Sequence, residues 1–343
     1  MKRKMKVAVA MSGGLDSSVT AAILKQERFE VLGVTIYFNF LASKTVENAK
    51  MVSDFLGIRH RVLDLTDIMK KRVIDNLCQE YLAGRTPNPC LRCNQYIKFG
   101  ALLRQILAWG CNHLATGHYA RIVKTNEGFL LKRGKDRNKD QSYFLYRLGQ
   151  RQLKALLFPL GDLTRKDVAS IAQHMNLPVS EGRKSQEICF LAGRDYREFL
   201  KERVKSEIKP GLVVDKTGKI LGQHQGISFY TVGQREGLNI ALGHRAYIIG
   251  INAAKNQIVL GNLRDTYTKE FTVTDTSFTL RPIKKKVVYR VKIRYNHRDA
   301  EAQISPRGYN LRVKFRKAQF AVTPGQSAVF YNRDVVIGGG VIR

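Results

Sequence analysis

The stretch Ala10-Met11-Ser12-Gly13-Gly14-Leu15-Asp16-Ser17-Ser18 restricts the fold of this chain more than any other. A short apolar run over residues 6–10 leads into it, and apolar residues at helical spacing, Val19, Ala22 and Ile23, lead out of it. A strand must therefore end, turn on two glycines and start a helix within a few residues. Glycine lets the backbone approach a ligand and take positive φ. Unpaired N–H groups at a helix start favour phosphate. The turn has neither the Gly-Lys-Ser/Thr of a Walker loop nor the G-x-G-x-x-G of a dinucleotide fold, which disfavours kinase-like or NAD-dependent chemistry. On the residues alone, an incidental Gly-Gly turn is the competing reading.

Beyond this turn the hydrophobic pattern predicts an α/β fold. Strands are expected over 31–38, 61–65 and 113–116, and helices over 17–27, 46–56, 67–82 and 99–109. This is the rhythm of a parallel, Rossmann-like sheet with helices on both faces, which binds ligands at the carboxyl ends of its strands. Thr164 and Asp167 form a capping box at a helix start, and Pro178 ends that helical segment. A polar run, 181–186, precedes Ile188-Cys189-Phe190. After Val204 the runs AYIIG, QIVL, FTVT, KVVYRVKIRY, LRVKF and SAVFY are short and separated by turn residues, as in small all-β modules. The expected division is 1–204 for the α/β catalytic unit, 205–266 for a small β-rich central unit and 267–343 for a β-barrel.

Lys and Arg number 59 against 28 Asp and Glu, a formal charge of +31. Such an excess points to a polyanionic partner, nucleic acid ahead of an anionic membrane. The segment 281–298 holds eight Lys or Arg and no acid. Its alternation predicts a strand with one basic, solvated face that tracks phosphates. Lys132, Arg133, Lys135, Arg137 and Lys139 add charge beside the catalytic half. No segment approaches the roughly 20 apolar residues of a membrane span. The start MKRKMKVAVAMSGG reads as a first strand rather than a secretory signal, and a cytoplasmic location is expected.

The cysteines are Cys78, Cys90, Cys93, Cys111 and Cys189, an odd number that argues against a disulfide scaffold. Cys78 and Cys111 read as core thiols, and so, by itself, does Cys189. Thr86-Pro87-Asn88-Pro89-Cys90-Leu91-Arg92-Cys93-Asn94 reads as a proline-stiffened loop carrying two thiols, with Arg92 expected to favour thiolate. Spacing alone leaves a redox pair, half a zinc site and cluster ligands all open.

SGGLDSS resembles the loop of the PP-loop ATP pyrophosphatases. TPNPCLRCNQYIKFG, LATGHYAR, GKDRNKDQSYFL, SQEICF, TVGQREGL and AVTPGQSAVFY together resemble the MnmA/TrmU family of tRNA-specific 2-thiouridylases over nearly the whole chain. The resemblance implies an enzyme that adenylates the 2-oxygen of the wobble uridine (position 34) of the tRNAs for Glu, Gln and Lys, then replaces that oxygen with sulfur. It implies ATP contacts at Ala10, Met11, Ser12, Gly13, Gly14, Leu15, Asp16, Ser17, Ile36 and Gly117, with Mg²⁺ at Asp16. It assigns Cys93 as nucleophile and Cys189 as persulfide carrier, the two forming a transient disulfide. It places tRNA contacts at Asn88, Pro89, Cys90, Lys139, Asp140, Gln141, Arg294 and Tyr295. A cysteine desulfurase or sulfur-relay protein is the implied donor, and a monomer is expected. Cys90 stands where some members have Asp. That makes a second chemistry open, a [4Fe-4S] cluster on Cys90, Cys93 and Cys189. The segment after Tyr37 is shorter than in many members. Two rival readings are another PP-loop ligase and a non-catalytic basic RNA-binding protein.

Overall fold

The computed structural model describes residues 4–40, 44–179, 188–191, 193–238, 240 and 245–343. The polar run 181–186, and residues 41–43 of the short segment after Tyr37, lie outside these.

The first-half runs form β1 (Lys6–Ala10), α1 (Leu15–Gln26), β2 (Glu30–Tyr37), α2 (Lys44–Phe55) and β3 (Arg59–Asp64). Next comes α3 (Thr66–Met69), which passes through a π-helical stretch (Lys70–Ile74) into α4 (Asp75–Leu82). Then α5 (Pro89–Arg92) passes through a second π-helical stretch (Cys93–Leu102) into α6 (Leu103–Ala108), and β4 (His113–Ala115) comes next. Beyond these lie a hairpin of β5 (Ala120–Thr125) and β6 (Gly128–Arg133), then α7 (Gln150–Lys154), β7 (Leu156–Leu157), α8 (Arg165–His174) and α9 (Tyr196–Val204). The parallel sheet has the order β3-β2-β1-β4-β7. Alternation along β1 serves two layers: Val7 and Val9 pack with Val19, Ala49 and Val168, while Ala8 packs with Met69, Ile74 and Ile97.

The expected helix over 99–109 begins ten residues earlier, which corrects the reading of 86–94 as a loop. Asn88 Oδ1 accepts from the Leu91 N–H at 3.4 Å, and Pro89 takes the first helical position, where its fixed φ helps and its missing N–H costs nothing. The prolines therefore start a helix, and both thiols ride on it. The capping box forms as read: Asp167 N–H donates to Thr164 Oγ1 at 3.2 Å, and Thr164 N–H to Asp167 Oδ2 at 2.8 Å.

The second half is all β. β8 (Gly211–Val214), β9 (Ile220–His224), β10 (Tyr247–Asn252) and β11 (Gln257–Gly261) make a sheet of order β10-β11-β8-β9. β12 (Tyr267–Phe278), β13 (Val287–Lys292), β14 (Ala300–Arg307), β15 (Asn310–Phe320), β16 (Ser327–Asn332) and β17 (Val335–Ile342) run in the order β12-β15-β14-β13-β16-β17. β12 also pairs with β17, closing a barrel.

Sequence reasoning missed the β5–β6 hairpin. It leaves the parallel sheet and joins the barrel where Lys132 pairs with Val335. One apolar core continues through all three units, holding Leu77 and Tyr81 with Phe229 and Ile248, and with Val329 and Tyr331. Buried Tyr143 donates to Ser327 O at 2.9 Å, and Tyr146 Oη lies 3.1 Å from Ser327 Oγ. The barrel is thus packed onto the α/β unit through a sealed interface.

Candidate active site

The glycine loop is held by its own groups. Ser17 Oγ accepts from Ser12 N–H at 3.2 Å and donates to Gly14 O at 3.0 Å, and Ser18 Oγ donates to the same carbonyl at 2.9 Å. Gly13 has φ +69°, and a Cβ there would lie 2.3 Å from Asn48 Cβ in α2. Only glycine fits both the angle and the gap. Met11, Gly13 and Ser17 are buried and shape the loop, while Ser12, Gly14, Leu15 and Asp16 keep accessible surface. Ile36 is half-buried at the carboxyl end of β2. Gly117 brings the β4 loop against Asp16: a Cβ at Gly117 would sit 2.9 Å from Asp16 C and Cβ.

Asp16 Oδ1 accepts from Tyr119 Oη at 2.8 Å and from Arg165 Nη1. Burial first, then the Asp16 carboxylate, push the Tyr119 phenol up, so it stays a donor. Neither Tyr119 nor Arg165 was foreseen, although Arg165 comes directly after the recognised helix cap.

Three of the thiols share one neighbourhood. Cys90, Cys93 and Cys189 lie within electrostatic range of one another although Cys189 is far away in sequence. Cys189 is solvent-accessible, which corrects its reading as a core thiol, while Cys78 and Cys111 are buried as read. Burial pushes Cys93 up to about 12 and Cys90 up to about 11, with the neighbouring thiols adding to the rise; Cys189, although it keeps accessible surface, is also raised by the protein atoms crowded around it. The opposing influence common to all three is the Lys98 ammonium. The expected role of Arg92 is therefore corrected. Its Nε donates to Arg72 O at 2.8 Å and its guanidinium lies over Tyr96, so it is spent on the helix surface. Lys98 lies five residues after Cys93 within the π-helical stretch, and a π-helix bonds i to i+5. The wider turn thus brings Lys98 to the Cys93 face, where ordinary α-helical winding would carry it away.

Residues 117–119 join the two centres. His118 lies next to Gly117 and Tyr119, which touch Asp16, and its ring packs against Phe99 at 5.6 Å. Burial and then Lys98 hold its pKa well below the usual histidine range, so it is neutral. Thr116 Oγ1 is 2.7 Å from its Nδ1.

All three units meet behind the thiol helix. Thr86 N–H donates to Pro324 O at 2.9 Å, Gln326 Nε2 donates to Thr86 O at 2.9 Å, and Thr86 Oγ1 lies 3.0 Å from Thr231 Oγ1. Arg294 donates to Val232 O at 3.0 Å and to Thr323 Oγ1. Desolvation holds its pKa below the usual guanidinium range. Its Nε has no partner, and among the described residues no acid pairs with it. On β13 the expected alternation forms, with Val291 and Ile293 toward the barrel core and Arg290 exposed, but the basic face is only partly free: Arg290 is tied to Asp299 at 2.5 Å, and Arg294, just beyond the strand, is half-buried. Tyr295 packs on Phe144 at 4.5 Å. Of the 139–141 segment, Lys139 is half-buried. Gln141 Oε1 accepts from Tyr119 N–H at 3.0 Å. Asp140 is buried, accepting from Gly134 and Ser142 N–H at 3.1 Å each, which makes it the organiser of its turn.

A strand–SGGLDSS–helix turn at the carboxyl ends of a β3-β2-β1-β4-β7 parallel sheet, with a carboxylate at its rim, makes this a protein of the PP-loop class. The model described as the tRNA methyl transferase HUP domain matches residues 5–193. The tRNA methyl transferase PRC-barrel domain matches 197–262, and the aminomethyltransferase beta-barrel domain matches 268–342. The chain is 44% identical over 357 residues to the tRNA-specific 2-thiouridylase MnmA of Carboxydothermus hydrogenoformans, covering 99% of this chain and 98% of that relative. It is 43% identical to the same-named protein of Acetivibrio thermocellus, covering 99% of each. The chain belongs to the MnmA family.

Proposed function

We propose that this chain thiolates the wobble uridine of tRNA at C2, at the expense of ATP. The observation that carries the reading is the placement of Cys93 and Cys189 within electrostatic range of each other and of Lys98, joined to the nucleotide loop through residues 117–119.

The uridine O2 attacks the α-phosphorus of ATP, the N3 proton is lost and pyrophosphate leaves. Cys189 carries a persulfide received from a donor protein. Cys93 attacks its inner sulfur, forming the Cys93–Cys189 disulfide and releasing hydrosulfide, which takes the Cys93 proton. Hydrosulfide adds to C2, its proton ends on N3, and AMP departs with the former O2. A thiol reductant then resets the pair. The loop N–H groups and the α1 N-terminus receive the phosphate charge. Asp16 offers one accessible carboxylate, which fits Mg²⁺, an ion held by one or two carboxylates and by substrate phosphates. Bound there, Mg²⁺ neutralises charge building on the leaving pyrophosphate. The ammonium of Lys98 acts on both the thiols and the neutral His118, and it favours the anionic sulfur.

For tRNA, the unpaired guanidinium of Arg294 is the supporting feature: a buried cation lacking a carboxylate is completed by a phosphate. In this reading Asn88, Pro89 and Cys90 contact the target base, and Lys139, Gln141 and Tyr295 contact the tRNA around it. A [4Fe-4S] cluster on Cys90, Cys93 and Cys189 does not fit as well. Among the described residues no three His, Cys, Asp or Glu side chains form a metal-ligating group.

The test is thiolation of unmodified tRNA by Cys93→Ser and Cys189→Ser, with ATP and a persulfide donor. Each variant should lose turnover by on the order of a thousandfold or more while still binding ATP. Near-normal turnover by either sinks the two-thiol scheme.

A further inference from the structure

We propose that Arg165 is a pyrophosphate-binding residue. The guanidinium that pairs with Asp16 here turns to the β- and γ-phosphates of bound ATP when the magnesium–nucleotide engages that carboxylate. The inference rests on the nucleotide reading of the loop.

Arg165 is the first residue of α8, and its backbone is anchored by the Thr164–Asp167 capping box and by its own N–H, which donates to Asp136 Oδ2 at 3.0 Å. Its side chain crosses to the glycine loop and meets Asp16 Oδ1, which Tyr119 Oη also holds at 2.8 Å. Among the described residues Asp16 is the one acid paired with that guanidinium. The pair is partly open to solvent, with side-chain exposures of 39% for Arg165 and 26% for Asp16, so a ligand can reach both partners. An ion pair this exposed contributes little to stability and is cheap to exchange.

A carboxylate drawn to Mg²⁺ no longer needs an arginine, and a guanidinium released beside a triphosphate finds a stronger, bidentate partner in phosphate oxygens. The loop itself supplies only backbone N–H groups and hydroxyls, with no lysine of the Walker type. Among the described residues, Arg165 is the cation paired with the carboxylate at its rim. Tyr119 stays protonated and keeps Asp16 aimed while the arginine moves.

The experiment titrates the full chain with pyrophosphate and with AMP, in the presence and absence of Mg²⁺. Arg165→Met should weaken magnesium–pyrophosphate binding about tenfold or more and leave AMP within about twofold, with Arg165→Lys in between. Asp16→Asn should tighten metal-free pyrophosphate binding by releasing the arginine, and adding Arg165→Met should cancel that gain. Unchanged pyrophosphate binding in Arg165→Met, or equal loss of pyrophosphate and AMP, overturns the proposal. So does an Asp16→Asn effect that survives Arg165→Met. A wild-type chain that binds neither ATP nor pyrophosphate would fail the nucleotide reading itself.

Discussion

At the nucleotide loop the polar side chains are paired: Ser12, Ser17 and Ser18 bond within the turn, Asp16 is held by Tyr119 and Arg165, and Gly13 and Gly117 fill gaps that admit no Cβ. A few residues away, beyond His118, the thiol helix is built otherwise. Its thiols are pushed up by burial, and Asn94, next to Cys93, donates to Phe144 O at 3.1 Å while its buried Oδ1 has no partner. The loop is preorganised before any ligand arrives, as a site that stabilises developing charge must be. The thiol region keeps its sulfurs protonated and unreactive, as suits a nucleophile that should act only once sulfur and an activated base are present.

The comparison breaks first at Gly13. Gly13→Ala should lower stability by about 2–4 kcal/mol, from positive φ plus the clash with α2, and should abolish saturable ATP binding. Urea unfolding and nucleotide titration check this; a neutral substitution would mean that the loop is not preorganised. The thiol side is sharpened by Lys98→Met. Raised thiols are protonated at neutral pH, so Cys93 alkylation should climb about tenfold per pH unit above 7. Without the Lys98 ammonium the thiol rises further, and the rate at a given pH should fall by about tenfold. Iodoacetamide kinetics on a chain lacking the other reactive thiols measures it. A milder effect is expected for Arg294→Met: tRNA affinity down by about fivefold and the salt slope reduced by about one. Smallest is Thr164→Ala, which removes one cap acceptor at α8 and should cost about 1 kcal/mol.

The parallel sheet was legible because its strands and helices carry distinct periods, and because Ser12 to Ser18 tie a strand end to a helix start within one turn. The strands after Val204 were legible for the same reason. The start of the thiol helix was not. Two prolines around Asn88 read as loop residues, yet Asn88 caps and Pro89 opens a helix, and which role wins depends on packing beneath Leu91. Lys98 was invisible because α-helical spacing puts it off the Cys93 face, and the π-helical winding that brings it back has no local signal. The β5–β6 hairpin was hidden because it pairs with β17, some 200 residues on, so its partner cannot be read locally. The basic stretch 281–298 gave the charge but not its use: Arg290 is tied to Asp299, whereas Arg294 has no acid among the described residues. Ending the chain near Lys205 would uncover Tyr143 and Tyr146, which the barrel buries, so the units are not independent.

The central claim is that one site couples ATP cleavage at the glycine loop to sulfur delivery from the Cys93–Cys189 pair. The most direct measurement is a single-turnover reaction of the full chain, preloaded with persulfide sulfur, with unmodified tRNA and ATP. AMP, pyrophosphate and the nucleosides of the digested tRNA are quantified at the same time points. The account predicts one AMP, one pyrophosphate and one 2-thiouridine per turnover, with the Cys93–Cys189 disulfide appearing in step and found by peptide mass spectrometry. Release of AMP and pyrophosphate with no thiolated uridine, or thiolation that proceeds without that disulfide, would contradict it.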